Sequence, residues 1–430
     1  MPSRTIRVDT LTRVEGEGAL ELDIQDGAVA GVRLAIFEPP RFFEALLRGR
    51  DASEAPDITA RICGICPVAY QMSAVHAIED ALGITVDGPL RDLRRLLYCG
   101  EWIESHALHI VLLHAPDFLG FPDAISLAAV HGEAVRRGLA LKKAGNAVLR
   151  LLGGREIHPV NVKVGGFYRV PSREELAPLA AVMEQARTEA IALARWVAGF
   201  RFPDFERDYI FVALRHPDEY PLNAGRVVSS GGLDIAAADY EASFVERHVA
   251  HSTALQSVLR ADGGAYLVGP LARFTLNHDR LGASVQALAA ELGLAPGCRN
   301  PFRSIVVRAI EVVYACEEAL RLIAAYTPPP APAVPVVPRA GVGTACTEAP
   351  RGILFHRYRL DAEGSILEAR IVPPTSQNQS TIEDDLRIIA TRDLELPDQE
   401  LRDHCEQAIR NYDPCISCST HFLRLEVRRQ

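Results

Sequence analysis

Four of the nine cysteines stand in two Cys-x-x-Cys pairs, Cys63 and Cys66 in ARICGICPVAY and Cys415 and Cys418 in NYDPCISCSTH. Thiolates in such pairs are ligands for soft and borderline metal ions. Cys63 and Cys415 are 352 positions apart, against about 15 to 20 residues between the two pairs of a zinc ribbon. A small zinc knuckle is therefore a poor fit, although a four-cysteine zinc site joining distant parts of the chain remains open. Charge bears on the choice. Four thiolates around one divalent ion leave a net charge of about −2, which is costly to bury. If two of the thiolates bridge to a second divalent metal, the core becomes neutral, and nickel and iron suit these ligands as well as zinc does.

The elements that must bring these thiols together can be read from patterning. ALELDIQDGAVAGVRLAIF alternates apolar and polar residues around Asp26-Gly27, a hairpin-turn signal. Apolar residues then recur at helical spacing in QMSAVHAIEDALG, LRDLRRLLYCGEWIESHALHIVLLH and DAISLAAVHGEAVRRGLALKKAGNAVLRLLGG. Ser172 and Glu175 have capping-box spacing and open another long helix in VPSREELAPLAAVMEQARTEAIALARWVAGF. Two further helices are expected in DRLGASVQALAAELG and SIVVRAIEVVYACEEALRLIAAYT. Residues 327–341, TPPPAPAVPVVPRAG, read as an extended proline-rich connector. GILFHRYRLDAEGSILEARIVPP is strand-like again, with Glu363-Gly364 near its turn. The expected class is α+β, a central bundle of long helices with strand-rich N- and C-terminal regions. Because segments near both ends must meet at the thiols, residues 1–430 are expected to form a single intertwined domain.

Composition narrows the partners. At 430 residues, 48% hydrophobic and 23% charged, the chain has the make-up of a globular protein. A formal charge of −9 gives no electrostatic case for a nucleic-acid partner. No apolar run reaches the roughly 18 residues of a membrane span, and MPSRTIRVDTLTRVEGEG lacks a signal-peptide core. A cytoplasmic protein with no membrane span is expected.

RICGICP together with DPCISCSTH resembles the paired signature of the catalytic, large subunit of nickel–iron hydrogenases, and the resemblance runs over essentially the whole chain. It implies that Cys63 and Cys415 are terminal nickel ligands and that Cys66 and Cys418 bridge nickel to an iron carrying cyanide and carbon monoxide. Hydrogen would be split heterolytically and reversibly into protons and electrons, with the Cys415 thiolate accepting the proton. TRVEGEG resembles the family's Arg-x-Glu-Gly motif, which makes Glu15 the relay for that proton. FFEALLRGRDASEAP resembles the segment that gives a carboxylate to magnesium or a similar divalent ion. That role falls to Glu44, with His421 and the backbone carbonyl near Ile371 as further ligands. Arg351 in EAPRGILFH matches an arginine suspended over the open coordination position, and Asp117 in LLHAPDF and Asp413 in DPC resemble the carboxylates that hold it. Pro374 and Thr375 in IVPPTSQN occupy the positions that contact the diatomic ligands of the iron. The family's precursor is cut after the histidine once nickel is in place, so Phe422–Gln430 resemble an extension removed by a maturation endopeptidase.

Plainer readings accompany each assignment. Glu15 and Glu44 otherwise read as exposed residues, Asp413 as a turn former before Pro414, Thr375 as a loop hydroxyl, and FLRLEVRRQ as a permanent edge strand. Two positions depart from the family pattern: Tyr70 and Glu17 stand where histidine is frequent. His106 and His109, spaced i, i+3, read as core histidines. Cys99, Cys298, Cys316, Cys346 and Cys405 read as small buried hydrophobes. With four cysteines spent, too few remain for an iron–sulfur relay. The resemblance therefore implies a small subunit carrying iron–sulfur clusters, against which GGREIHPVNVKVGGF would pack. It further points to the cytosolic class linked to NAD(P), with flavin and NAD(P) in additional reductase subunits. The competing reading is a non-catalytic, zinc-stabilised Cys₄ scaffold in an electron-transfer complex.

Overall fold

Strands β1 (Arg4–Val8), β2 (Gly18–Gln25) and β3 (Ala28–Ile36) pair antiparallel in that order. Leu20, Leu22 and Ile24 bury at period two, as the alternation in the sequence requires. Asp26 and Gly27 both take positive φ, 50° and 76°, the backbone of a mirror-image hairpin turn whose twist matches the strands. This computed structural model describes residues 4–38 and 41–420.

A single helical turn, α1 (Phe43–Leu47), carries Glu44. Helix α2 (Pro67–Leu82) starts immediately after Cys66, with Pro67 in its first turn, where the missing amide has no partner to lose. Helices α3 (Pro89–Leu108) and α4 (Ala124–Gly153) pack side by side. Their close approach is made by glycines: a Cβ on Gly145 would lie 2.5 Å from the Gly100 carbonyl and 2.7 Å from the Glu104 amide. At its end α3 widens into a π-helical turn, His109–His114, and continues as the short helix Ala115–Leu119. Helix α4 kinks at His131, whose φ and ψ are −111° and 38°.

The Ser172–Glu175 capping box forms as expected, but it caps only Arg173–Leu176 before Pro178 restarts the chain as α5 (Pro178–Ala198). Short strand pairs come next, between residues 212 and 259, then α6 (Pro270–Asn277), a short helix at Ala283–Glu291 and α7 (Ser304–Ala325). Helix α7 packs against α5 and α3 and completes the central bundle. The connecting segment 326–340 carries no helix. It is held by bonds from the Val334 amide to the Gly165 carbonyl (2.9 Å) and from the Phe167 amide to the Pro332 carbonyl (2.8 Å).

Strands β4 (Gly341–Ala349), β5 (Gly352–Leu360) and β6 (Ile366–Val372) form an antiparallel meander, with β4 and β5 packed on α2. Two helices close the described chain, α8 (Pro374–Arg392) and α9 (Asp398–Arg410). Neither is expected from the sequence pattern, which marks no helix beyond Pro374. The buried side of the first half of α8 includes Gln377, Asn378 and Gln379, and apolar residues at helical spacing begin only at Ile382, with Leu386, Ile389 and Ala390. The observed class is α+β with a central long-helix bundle. No single helix among the described residues is long and apolar enough to cross a membrane.

Candidate metal centre

The two Cys-x-x-Cys turns meet. All four sulfurs lie within 4.8 Å of one another and all four residues are buried. Cys63 Sγ is 3.4 Å from Cys415 Sγ, Cys66 Sγ is 3.0 Å from Cys63 Sγ, and Cys415 Sγ is 2.8 Å from Cys418 Sγ. Each turn is fixed by its own backbone. The amides of Ile65 and Cys66 donate to Cys63 Sγ at 3.3 and 3.1 Å, and the Cys418 amide donates to the Cys415 carbonyl at 3.2 Å. Helix α2 directs the first pair. The second is directed by the turn after α9, where Asp413 takes a left-handed φ of 51° ahead of Pro414.

Glu15 reaches this cluster from the loop between β1 and β2. Its Oε2 accepts from Cys415 Sγ at 3.0 Å and from the Ser417 amide at 3.2 Å, and its Oε1 accepts from the Ser417 hydroxyl. Its backbone carbonyl accepts from the Ile416 amide at 2.8 Å. The glycine of the motif is required for this approach. Gly16 has φ 90°, and a Cβ there would lie 2.7 Å from Glu38 Oε2 and 2.8 Å from Ile416 Cβ. Glu15 is half-buried, not the exposed strand residue of the plainer reading. Glu17 is exposed, its amide donating to Glu38 Oε2 at 3.4 Å.

Arg351, 2% exposed, donates from Nε to the Asp413 carbonyl (2.7 Å) and from Nη2 to Asp413 Oδ1 (3.1 Å). Burial pulls its pKa down, but Asp413 and the thiols of Cys415, Cys66 and Cys63 outweigh this and hold it well above the ordinary arginine value. Asp413 also faces Arg308 at 3.5 Å and His109 at 4.0 Å. Asp117 does not join this group. Its Oδ1 accepts instead from Arg13 and, at 2.9 Å, from Arg410. A π-helical turn at 109–114 precedes it. Each added residue rotates the succeeding ones by about 100° around the helix axis, and Asp117 stands just beyond that turn.

Thr375 lies in the first turn of α8 after Pro374, and both are buried. The Thr375 hydroxyl accepts from the Cys415 amide at 3.1 Å, which ties α8 to the second cysteine turn. Glu44 is 5% exposed and meets Ile371 through that residue's amide, which donates to Glu44 Oε1 at 2.8 Å. Arg370 lies 3.8 Å from the same oxygen. Burial raises the Glu44 carboxyl to about 6 against the opposing pull of Arg370 and the Ile371 amide. His421 and the segment 422–430 lie outside the described residues.

Sequence reasoning missed two acids on α3. Glu101, fully buried, accepts from the Val68 and Ala69 amides at 2.6 and 3.1 Å and so satisfies the start of α2 behind Cys66. Glu104, one turn on, pairs with Lys142 of α4 at 3.3 Å. The signal was present in EWIESHALH, where two carboxylates interrupt a helix that is otherwise built for the core. Tyr70 is buried near Cys66 and Cys418, and its hydroxyl has no hydrogen-bond partner among the described residues. His106 is a core histidine bonded to Glu311 at 2.9 Å, and His109 bonds the Arg410 carbonyl at 2.8 Å.

The donor set fits a metal centre on its chemistry. Burial pushes the Cys415 and Cys418 thiols up, whereas hydrogen bonds from Cys415, Cys418 and Cys66 overcome burial at Cys63 and pull it below the ordinary thiol range. Four buried thiolates are sustained together only opposite cations. Among the described residues, no other group of three or more cysteine, histidine or acidic side chains converges in this way.

Comparison with known proteins agrees with this geometry. A model of the nickel-dependent hydrogenases matches residues 41–137. The sulfhydrogenase 2 subunit alpha of Pyrococcus furiosus is 36% identical over 423 residues, covering 98% of this chain and 100% of that protein. The sulfhydrogenase 1 subunit alpha of the same organism is 33% identical over 429 residues, with 98% of each chain covered. An NAD⁺-reducing [NiFe]-hydrogenase solved in its H₂-reduced state superposes with a TM-score of 0.88 at 28% identity, covering 97% of this chain and 99% of that one.

Proposed function

We infer, from the premise that this chain belongs to the nickel-dependent hydrogenases, that it is the catalytic large subunit and that its four sulfurs hold a nickel–iron pair. In this reading Cys63 and Cys415 would hold nickel alone and Cys66 and Cys418 would be shared with iron, which would carry cyanide and carbon monoxide. The nickel–iron centre, when bound, supplies the heterolytic splitting of H₂ and takes up the electron pair.

The chain's own residues handle the proton and the surrounding charge. The contact of Cys415 Sγ with Glu15 Oε2 at 3.0 Å is the observation that carries the reading. A thiol beside a carboxylate that is only half-buried provides a way for a proton to leave a dry pocket, and a structural zinc site has no use for one. Ser417 holds the carboxylate through both its amide and its hydroxyl. Arg351 places fixed positive charge beside the sulfurs, and Asp413 holds it there. Thr375 orients the Cys415 turn and keeps its own O–H for a ligand of the iron, with Pro374 beside it. Glu44, with His421 and the backbone at Ile371, is the proposed holder of magnesium or a similar hard ion.

Electrons are proposed to leave through iron–sulfur clusters of a small subunit and to reach NAD(P) through further subunits. Two observations support this. The five other cysteines contribute to no such group of side chains among the described residues, and the structural neighbour is described as NAD⁺-reducing. A docking face is proposed at 157–168, where Ile157, Val160 and Tyr168 are exposed and where the connecting segment bonds at Gly165 and Phe167. A cytoplasmic location and removal of 422–430 by an endopeptidase complete the reading.

Metal analysis of the purified complex is the test. Near-equal nickel and iron support the enzyme, and zinc alone would establish the scaffold reading. Cys415→Ser is expected to abolish hydrogen-dependent dye reduction, and retained activity overturns the assignment. The intact mass of the chain reads the processing step directly.

A further inference from the structure

We propose that Asp117 is a positioning residue which, by holding Arg13 and Arg410 together, fixes Glu15 against Cys415. The inference rests on the relay role of Glu15.

Asp117 Oδ1 accepts from Nη2 of Arg13 and, at 2.9 Å, from Nη1 of Arg410. Both arginines belong to segments that build the site. Arg13 stands two residues before Glu15, and its Nη1 also donates to the Leu113 carbonyl at 2.8 Å. Arg410 ends α9, and its carbonyl accepts from the Asp413 amide (3.1 Å) and from His109 Nε2 (2.8 Å) at the start of the turn that presents Cys415. Arg410 reaches back as well. Its Nε donates to the Thr12 carbonyl at 3.0 Å and its Nη2 to the Thr12 hydroxyl at 3.3 Å. The Thr12–Glu15 loop and the Arg410–Cys415 turn are thereby joined on the side away from the sulfurs, with Asp117 as the shared acceptor.

Three features make this a clamp rather than a surface ion pair. The side chains of Arg13, Asp117 and Arg410 are 15%, 8% and 3% exposed, so water screens the pairs little. Glu406 pairs with Arg410 and brings two carboxylates against two guanidiniums, so the network adds no net charge near Glu15. Arg13 itself takes a left-handed φ of 58°, a conformation that a non-glycine residue keeps only where its surroundings enforce it. The network therefore acts on the position of Glu15. Proton transfer between Cys415 and Glu15 depends steeply on their separation. A displacement of an ångström in such a pair costs about 10- to 100-fold in rate.

The test is Asp117→Asn in the holoenzyme complex, run beside Glu15→Gln. Asn keeps an acceptor oxygen and loses the charge that pulls both arginines. The expected result is nickel and iron content as in the wild type, kcat for hydrogen-dependent dye reduction lower by about 10-fold, KM for H₂ within about 2-fold, and a larger solvent deuterium isotope effect. A wild-type kcat and isotope effect in Asp117→Asn, with Glu15→Gln impaired, overturns the inference alone. Full turnover in Glu15→Gln overturns the relay and this inference with it. If Asp117→Asn does not accumulate with its metals, Arg13→Lys decides by the same readouts. That variant keeps the charge but cannot reach both Asp117 and Leu113.

Discussion

Arg351 grips Asp413 at two points, its Nε on the backbone carbonyl at 2.7 Å and its Nη2 on the carboxylate at 3.1 Å. The third nitrogen, Nη1, is buried with no hydrogen-bond partner among the described residues. A donor left unpaired in the interior costs about 1–3 kcal/mol. Its retention beside four thiols fits a group kept for chemistry, not for stability.

Arg351→Lys keeps the charge and gives up the two-point grip. Turnover is expected to fall by about 100-fold or more while nickel and iron remain at wild-type levels. Hydrogen-dependent dye reduction normalised to bound nickel checks this. Undiminished turnover per nickel would show that a mobile ammonium serves as well.

Thr375→Val deletes the only hydroxyl that accepts from the Cys415 amide among the described bonds. An unpaired buried amide results, and denaturant unfolding should register a loss of about 1–3 kcal/mol. Thr375→Ser restores the acceptor and should lie close to the wild type.

Glu104 supplies a pH dependence. Burial raises its carboxyl to about 7, with Lys142 pulling in the opposite direction. The unfolded value is about 4.5, so between about pH 4.5 and 7 the folded chain holds a proton that the unfolded chain has released. Stability from this group is therefore greatest at low pH, falls as pH rises through that window, and levels off above about 7. The full effect is on the order of 3 kcal/mol. Glu348 shifts in the same direction, also to about 7, so the informative curve is the difference between wild type and Glu104→Gln. That difference should slope across the window and be flat above it, and a difference that is flat throughout refutes the assignment.

Gly145→Ala tests the contact between α3 and α4. The new methyl would meet the Gly100 carbonyl at 2.5 Å and the Glu104 amide at 2.7 Å, both backbone atoms that cannot swing away. The two helices must separate, and a cost of about 1–3 kcal/mol in chemical denaturation is expected.

The parts of the site that can be read from sequence are those whose chemistry is local. The two Cys-x-x-Cys turns announce their function by spacing. Glu15 comes with a glycine that its approach to Ile416 requires, and Asp413 with a proline that fixes the turn ahead of Cys415. Sequence alone sets Asp117 beside Arg351, whereas its carboxylate meets Arg13 and Arg410, and no pattern of residues records the π-helical turn at 109–114 that precedes it. Helix α8 is harder to read because buried glutamine and asparagine stand in its first half and the apolar stripe of Ile382, Leu386, Ile389 and Ala390 covers only the second. Glu101 and Glu104 look like ordinary helix charges until the fold sets one behind Cys66 and the other against Lys142.

The 352 positions between Cys63 and Cys415 also impose an order in time. On a ribosome adding roughly 5–20 residues per second, Cys63 and Cys66 are polymerised about 20–70 s before their counterparts. Throughout that interval the nascent chain carries half a cradle, two thiols with no opposing pair and no Glu15–Cys415 contact to hold the pocket shut. A centre held by all four sulfurs can therefore be completed only on a chain whose synthesis has passed Cys418.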